Sequence, residues 1–370
     1  MEIAHIETIP VEIKLRQAEE PGGLAPYIGN AEQISSTRRL IIKVQTTDGT
    51  VGWSEFWPDA AYSLSASRAI IEDDIGTKLK GASIWDNKTI LDLFEREYLT
   101  ARPFIGAVEI AIWDARGKEL GASVSELLGG KIREKVPFAY LFGITKPQEA
   151  REHVEYAKNE GFDVIKVKGG RNWRDDIERL ISMDEMNADV QFRLDPNQGW
   201  SVTQAVNFGN RLRRCGIDLQ YLEQPIKINS PSGIASLHNQ LHVPLAINED
   251  TYRPGNVSAL AEDIDAAVLD IVPCGGIAAT QRLAARATAH GVSLAHHNGF
   301  DLGIKTAAIL HTVATTPGFT LEADTIYYAL SEHIIKHPFE FADGHLTVPD
   351  GPGLGVEVDE ECLEENRMKI

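Results

Sequence analysis

From Val136 onward the chain alternates short apolar runs with longer amphipathic stretches. The runs are VPFAYLFG, FDVIKVKGG, VQFRLDPNQG, LQYLEQP, VPLAINED, AAVLDIVPCGG, VSLAHHNG and FTLEAD. They are short and rich in branched and aromatic residues, as strands are. Strands separated by helices imply a parallel sheet, and this many units fill a (β/α)8 barrel. A doubly wound open sheet is the rival; against it, no glycine-rich phosphate loop follows the first run. Upstream the pattern differs. Ile3 to Leu15, Arg39 to Thr46 and Val51 to Glu55 read as strands, with Asp48-Gly49 as a turn, so an antiparallel meander is expected. Residues 62 to 128 read as helical, with Val108, Ile112, Ala115 and Leu120 on roughly one face of VEIAIWDARGKELG. Segment 17–36, QAEEPGGLAPYIGNAEQISS, has turn formers and no periodicity, and loops of that length in compact domains are commonly lids or binding loops. Its Leu24, Tyr27 and Ile28, with Phe56 and Trp57 after the third strand, are the candidate substrate contacts of this half.

Composition narrows the function classes. A chain of 370 residues that is 43% hydrophobic exceeds one ordinary domain and can bury a large core. Acidic residues outnumber basic ones by 54 to 36, for a net charge of -18, so the field repels phosphate backbones and anionic headgroups. Nucleic acid and membrane are disfavoured as partners, and a homo-oligomer is expected. Cys215, Cys274 and Cys362 are far apart and form no CxxC pair, which argues against a disulfide framework or a zinc site and for a reducing cytoplasm. The N-terminus alternates like a strand and has no basic or long apolar run, so neither a cleaved leader nor a membrane span is expected.

In a barrel the active site is built at the C-terminal ends of the strands. Here those ends carry Lys166-Val167-Lys168, Asp195-Pro196-Asn197, Glu223-Gln224-Pro225, Asn248-Glu249-Asp250, Asp270, His296-His297 and Glu322. Carboxylates on three consecutive strands would converge, and hard oxygen ligands without cysteine favour Mg2+, with Mn2+ able to substitute. Taken singly, an Asp or Glu at a strand end also reads as a loop cap or ion-pair partner. Lys166 and Lys168, two apart, point to one face; a neighbouring cation lowers a lysine pKa and makes it a plausible base. Two solvated lysines on an edge strand are the plainer reading, but a barrel strand has no edge. Asp270 and His297 end adjacent strands, so the carboxylate would hold one imidazole nitrogen and leave the other for proton transfer. His296 competes with His297, since register is open by one residue. Glu322 reads either as a partner of a substrate carboxylate or as a cap of the last strand.

With these residues in place, the chain resembles the mandelate racemase subgroup of the enolase superfamily over nearly its full length. The motifs are VGWSE, IAIWDARGKELGASVSELLGG, IKVKGG, DPNQGW, YLEQP, the glycine pair of DIVPCGGI, and DGPGLGVEVD. The resemblance implies an N-terminal α+β capping domain, residues 1–130 completed by about 340–370, over a (β/α)7β modified TIM barrel at 131–339. It implies metal ligands Asp195, Glu223 and Glu249, with Asp250 the weaker alternative to Glu249. Asn248 stands where related subgroups have an Asp ligand. It also implies Lys168 as one base and His297 with Asp270 as the other. Lys166 and Glu322 then face the substrate carboxylate, and Asn197 lies beside the substrate. Asp270 occupies the position of a lysine in muconate lactonising members, and AYLFG lacks the serine of the racemase itself.

The resemblance implies removal of the proton alpha to a carboxylate, a step whose developing charge a divalent cation and nearby donors stabilise. Two outcomes follow from two bases. Dehydration of an acid sugar to a 2-keto-3-deoxy acid is the first expectation. Racemisation or epimerisation of a 2-hydroxy acid or amino-acid-like carboxylate is the second. A barrel that only binds a small anion is the reading from another class. A metal-dependent hydrolase would need histidine ligands on the early strands, which carry none.

Overall fold

A computed structural model describes residues 1–16, 27–28, 33–58, 62–86, 101–253 and 255–370. Leu24 and most of the proposed lid lie outside the described residues. Of the rest, Tyr27–Ile28 (β2) pairs antiparallel with Gln33–Ile34 (β3).

The meander is present: β1 (Ile3–Lys14) pairs antiparallel with β4 (Ser36–Thr46), which pairs with β5 (Val51–Phe56). Helix Arg102–Leu120 covers this sheet. Val108, Ile112 and Ala115 are buried on it, whereas Leu120, the last helical residue, is 57% exposed and leaves the predicted face. Asp114 of this helix is buried and fully used. Its Oδ2 accepts from Trp53 N at 2.8 Å and Lys118 Nζ at 2.7 Å, and its Oδ1 accepts from Leu354 N at 2.8 Å. One carboxylate thus ties β5, the helix and the C-terminal DGPGLG segment together. Helix and sheet meet closely at Gly52, where a Cβ would lie 1.9 Å from the Ala111 carbonyl oxygen. Gly52→Ala must push backbone against backbone, so a loss near the upper end of the ~1–3 kcal/mol range for overpacking is expected. An unchanged urea midpoint would contradict that packing.

Eight parallel strands form the second sheet: β6 (Lys135–Phe142), β7 (Val164–Lys168), β8 (Gln191–Asp195), β9 (Leu219–Glu223), β10 (Leu245–Ile247), β11 (Ala266–Leu269), β12 (Ser293–His296) and β13 (Ala323–Thr325). They hydrogen-bond in chain order, and β13 returns beside β6, with Ala323 opposite Phe138. Leu321 N donates to Leu294 O at 3.0 Å across the β12 seam and curls the sheet into a barrel. Seven α-helices follow the first seven strands among the described residues; β13 is followed only by the 3-10 turn Tyr327–Ala329. The arrangement is (β/α)7β over an α+β cap, as the resemblance implied and not the full (β/α)8 that strand counting alone suggests. After β14 (His345–Thr347), which adds antiparallel to β6, the chain returns to the cap, where Met368 N donates to Pro10 O.

Cap and barrel are locked by Glu109, buried in helix Arg102–Leu120. It accepts from Ile277 N at 2.8 Å and Ala278 N at 3.2 Å at the start of barrel helix Ile277–Ala289. Gly276 stands at φ +99°, and a Cβ there would lie 2.3 Å from Glu109 Oε2. This contact accounts for the second glycine of DIVPCGGI. Among the described residues no helix is long and apolar enough to cross a membrane, and the three cysteines are free thiols.

Candidate active site

β7, β8 and β9 deliver their terminal charged residues to one buried cluster because alternation points Lys166, Lys168, Asp195 and Glu223 inward. Lys168 Nζ donates to Asp195 Oδ2 at 2.6 Å. Lys166 Nζ donates to Glu223 Oε1 at 2.8 Å and Asp324 Oδ2 at 2.6 Å, and stands 3.3 Å from Asp195 Oδ2. Burial would raise Asp195, but Lys168 and Lys166 outweigh it and hold the carboxyl well below its ordinary range. Burial, and then the Asp195 charge, push Glu223 up to about 8, and the same two causes raise Glu249.

Glu249 opens the 3-10 turn after β10. Its Oε1 accepts from Gln198 Nε2 at 2.8 Å, while its Oε2 is buried without a hydrogen bond among the described residues. The alternative, Asp250, is saturated by Gln224 Nε2, Asn229 N and Asn256 Nδ2.

On the far side of the barrel, His297 Nδ1 stands 3.2 Å from Asp270 Oδ2, an arrangement that puts the proton on Nδ1 and the basic lone pair on Nε2. His296 points away. Its Nδ1 donates to His297 O at 2.7 Å, its Nε2 accepts from Ile271 N, and burial pushes it down to about 4, so it stays neutral and structural. A cavity of about 230 Å³ separates the two sides, lined by Lys168, Asn197, Asn248, Glu249, His297 and Asn298 with Trp57 and Tyr252. A second, smaller and largely apolar cavity shares Trp57, Tyr252 and His297 with it and runs to Phe56, Tyr62, Phe104 and Pro273.

Two expectations need correction. Glu322 does not reach the mouth: it precedes β13 and accepts from Arg193 at 2.7 Å and Gln220 Nε2 at 3.0 Å, near the start of β9. The strand runs from Ala323 to Thr325 and so starts just after Glu322 instead of ending on it; Asp324, of the same parity, is the residue that reaches the lysine cluster. Lys166 likewise has no exposed side-chain surface; its ammonium neutralises Glu223 and Asp324, not a substrate group. Glu322→Gln can still accept from Arg193, so kcat/KM should stay within about threefold, roughly 0.6 kcal/mol, in steady-state assays. A hundredfold loss would return Glu322 to the site. Of the remaining candidates, Phe56, Trp57 and Asn197 line the two cavities, and nothing is described of the side chains of Tyr27 and Ile28.

As the side chains lie, no three acidic or imidazole groups among the described residues stand close enough to hold an ion, because ammonium groups stand between them. The donor set nevertheless fits Mg2+. Among the described residues, Asp195, Glu223, Glu249 and Asp324 face only Lys166 and Lys168, with Arg193 paired to both Asp324 and Glu322. Uncompensated charge buried this deeply costs several kcal/mol per ion, and a divalent cation offsets it. The unbonded Glu249 oxygen marks where a ligand atom is available.

A capped barrel with lysines, carboxylates and a His-Asp dyad at its strand ends is the architecture of an acid/base enzyme. Residues 148–362 match the enolase C-terminal domain-like family, and residues 12–129 match the mandelate racemase / muconate lactonizing enzyme N-terminal domain. The chain belongs to the mandelate racemase / muconate lactonizing enzyme family of the enolase superfamily, a superfamily of Mg2+-dependent catalysis. It is 30% identical over 366 residues to the D-galactarolactone cycloisomerase of Agrobacterium fabrum, covering 93% of this chain and 95% of that protein. It is 28% identical over 344 residues to the arabinonate dehydratase of Saccharolobus solfataricus, covering 88% and 90%. The crystal structure of muconate lactonizing enzyme from Pseudomonas fluorescens complexed with muconolactone matches with a TM-score of 0.91 at 26% identity, covering 99% of each chain.

Proposed function

We propose that this chain dehydrates an acid sugar, removing the proton alpha to its carboxylate and expelling the beta-hydroxyl to leave a 2-keto-3-deoxy acid. The observation that carries this reading is the pair of unlike acid/base groups, Lys168 and His297, the latter backed by Asp270, lining one cavity whose other polar side chains include three asparagines. Amides at a cavity wall suit hydroxyl groups, which both donate and accept. Asn298 is the most telling of them. Its Oδ1 accepts from Phe300 N, and its buried Nδ2 has no partner among the described residues, a donor available to a substrate oxygen.

In this reading Lys168 takes the alpha proton on one face and His297, protonated, gives its Nε2 proton to the departing hydroxyl. Asp270 keeps the imidazole in the tautomer and orientation that this transfer needs. Lys166 acts from below, favouring the ionised forms of Glu223 and Asp324 and holding both side chains in place. Asp195, Glu223 and Glu249 would hold Mg2+, which when bound supplies electrostatic stabilisation to the substrate carboxylate as negative charge builds there.

The apolar cavity beyond His297 supports a second reading, racemisation or epimerisation of a carboxylate with an apolar substituent. The test is a panel of mono- and dicarboxylate acid sugars, their lactones, and chiral 2-hydroxy and N-acylamino acids, each incubated with Mg2+ in deuterium oxide. Release of 2-keto acid from an acid sugar supports dehydration. Optical change without keto acid transfers the case to the second reading. Absence of alpha-deuterium from every member sinks both.

A further inference from the structure

We infer that the capping domain positions the His297 half of the site: Arg39 and Glu55 brace the segment from Gly299 to Lys305, and Lys305 presents the ammonium against which Asp270, and through it His297, is set. The inference rests on the two-base reading only for its bearing on catalysis; the brace itself is a matter of geometry. Glu55 is the last residue of VGWSE, a motif to which the proposed chemistry gives no work. It is buried on β5, and its two oxygens accept from Leu302 N at 2.7 Å and Lys305 N at 2.8 Å, capping helix Ile304–Thr315 from the other domain. Arg39, fully buried on β4, donates to the carbonyls of Gly299 and Phe300, the latter at 2.8 Å, and lies over the Trp57 ring.

Two cap residues therefore take up four backbone groups of the segment that directly follows His297. Phe300 sits there at φ +64°, a left-handed conformation that a bulky residue rarely adopts, which an external hold on its carbonyl sustains. Lys305 completes the connection. Its Nζ donates to Asp270 Oδ2 at 2.9 Å, the oxygen that also faces His297 Nδ1, and to Asp301 Oδ1 at 3.0 Å. Burial opposes its charge, but Asp270 and Asp301 outweigh that, so it stays an ammonium.

Five buried ionic groups in one place are not explained by stability, since well-packed apolar replacements of such networks are often neutral or better. What the network does supply is orientation. A shared Asp270 oxygen has one arrangement that satisfies both the ammonium and the imidazole, and the cap holds the ammonium there. Lys305 is thus a positioning residue, acting through Asp270, and Glu55 positions Lys305.

The charged groups facing His297 are Asp270 directly, Lys305 and Asp301 behind it, His296 on its own strand, Asp324 on β13, and Lys168 and Glu249 across the cavity. The experiment is hydrogen–deuterium exchange at the His297 ring C2 position, read by mass spectrometry as a pH profile on the Mg2+-loaded full-length protein. It needs no substrate. Lys305→Met removes the cation and keeps the stem, so the His297 profile should move to higher pH by about half a unit or more, and Lys305→Arg should restore it. Glu55→Gln, which frees the Lys305 backbone, should displace the profile in the same direction by less. Parent-like profiles in both Lys305→Met and Glu55→Gln overturn the inference. If Lys305→Met does not fold, Glu55→Gln decides. Displaced profiles in a protein that turns over nothing in the substrate panel would sink the dehydratase reading and leave the brace standing; parent-like profiles with turnover would do the reverse.

Discussion

Glu249→Gln is expected to leave the chain folded and to lower kcat/KM by a factor on the order of 10³, with Mg2+ affinity falling alongside, as calorimetric titration would show. Of the three carboxylates this one gives the cleanest result. Asp195→Asn also releases Lys168, and Glu223→Gln also releases Lys166, so those variants change a base or a buried ion pair together with the metal site. Among the described residues the side-chain donor to Glu249 is Gln198, at Oε1, a bond an amide oxygen preserves, and the oxygen the variant gives up is Oε2, which has no hydrogen bond there. Full activity in Glu249→Gln would remove it from the ligand set.

The same cluster predicts how the metal-free protein responds to pH. Glu223 is raised from 4.5 to about 8, chiefly by burial and next by Asp195. Through Glu223 the folded chain holds a proton that the unfolded one loses, so this group's contribution to unfolding free energy falls as pH rises from about 4.5 to about 8; His153, His296, His311 and His333, each pushed down to about 4 by burial, act in the opposite sense below about 6.5, so the fall is read most directly between about 6.5 and 8. Added Mg2+ should flatten the fall, because it rewards the ionised carboxylates; thermal unfolding across that window with and without the ion measures it. A slope unchanged by Mg2+ would mean that the ion does not bind at Glu223.

Much of this site was legible because strand periodicity is simple. KVK places two lysines on one inward face, and one βα unit carries the chain from Asp195 to Glu223 to the Glu249 turn, so these needed only the strands to be found. Strand register was harder where the strand is short. β13 has three residues, and the apolar lead-in of FTLEAD spends Leu321 on closing the barrel, which shifts the inward position that matters from Glu322 to Asp324. Lys305 was missed for a different reason. Its helix is buried on every side, so a lysine there had to be paired inside, but an all-round apolar helix gives no moment from which to read a face. Arg39 and Glu55 act on backbone groups of the other domain, and no local pattern encodes a contact between residues that far apart. The weak point of strand counting was the last unit, since nothing in the eighth run says that a 3-10 turn replaces the helix.

The two bases should separate by face. His297→Asn is expected to abolish net turnover, a loss on the order of 10² to 10⁴ for a missing acid/base group, yet to leave alpha-proton exchange with solvent deuterium on the Lys168 side. Lys168→Met should remove that exchange. The two variants differ in a second way, because Lys168 holds Asp195 Oδ2 at 2.6 Å whereas His297 pairs with Asp270, which is not in the ligand set. Removing the Lys168 ammonium frees a carboxylate oxygen, so Mg2+ should bind Lys168→Met at least as tightly as the parent, and the lost exchange cannot be laid to a lost metal. Asp270→Asn should impair the His297 side alone, by disturbing the tautomer that the dyad holds. His296→Asn should leave turnover nearly intact and lower stability, since its two ring nitrogens serve the backbone of His297 and Ile271. A crippled His296→Asn beside a parent-like His297→Asn would move the dyad by one residue. Full turnover in both histidine variants would leave Lys168 as the single base, and a one-base reaction would then be the better account.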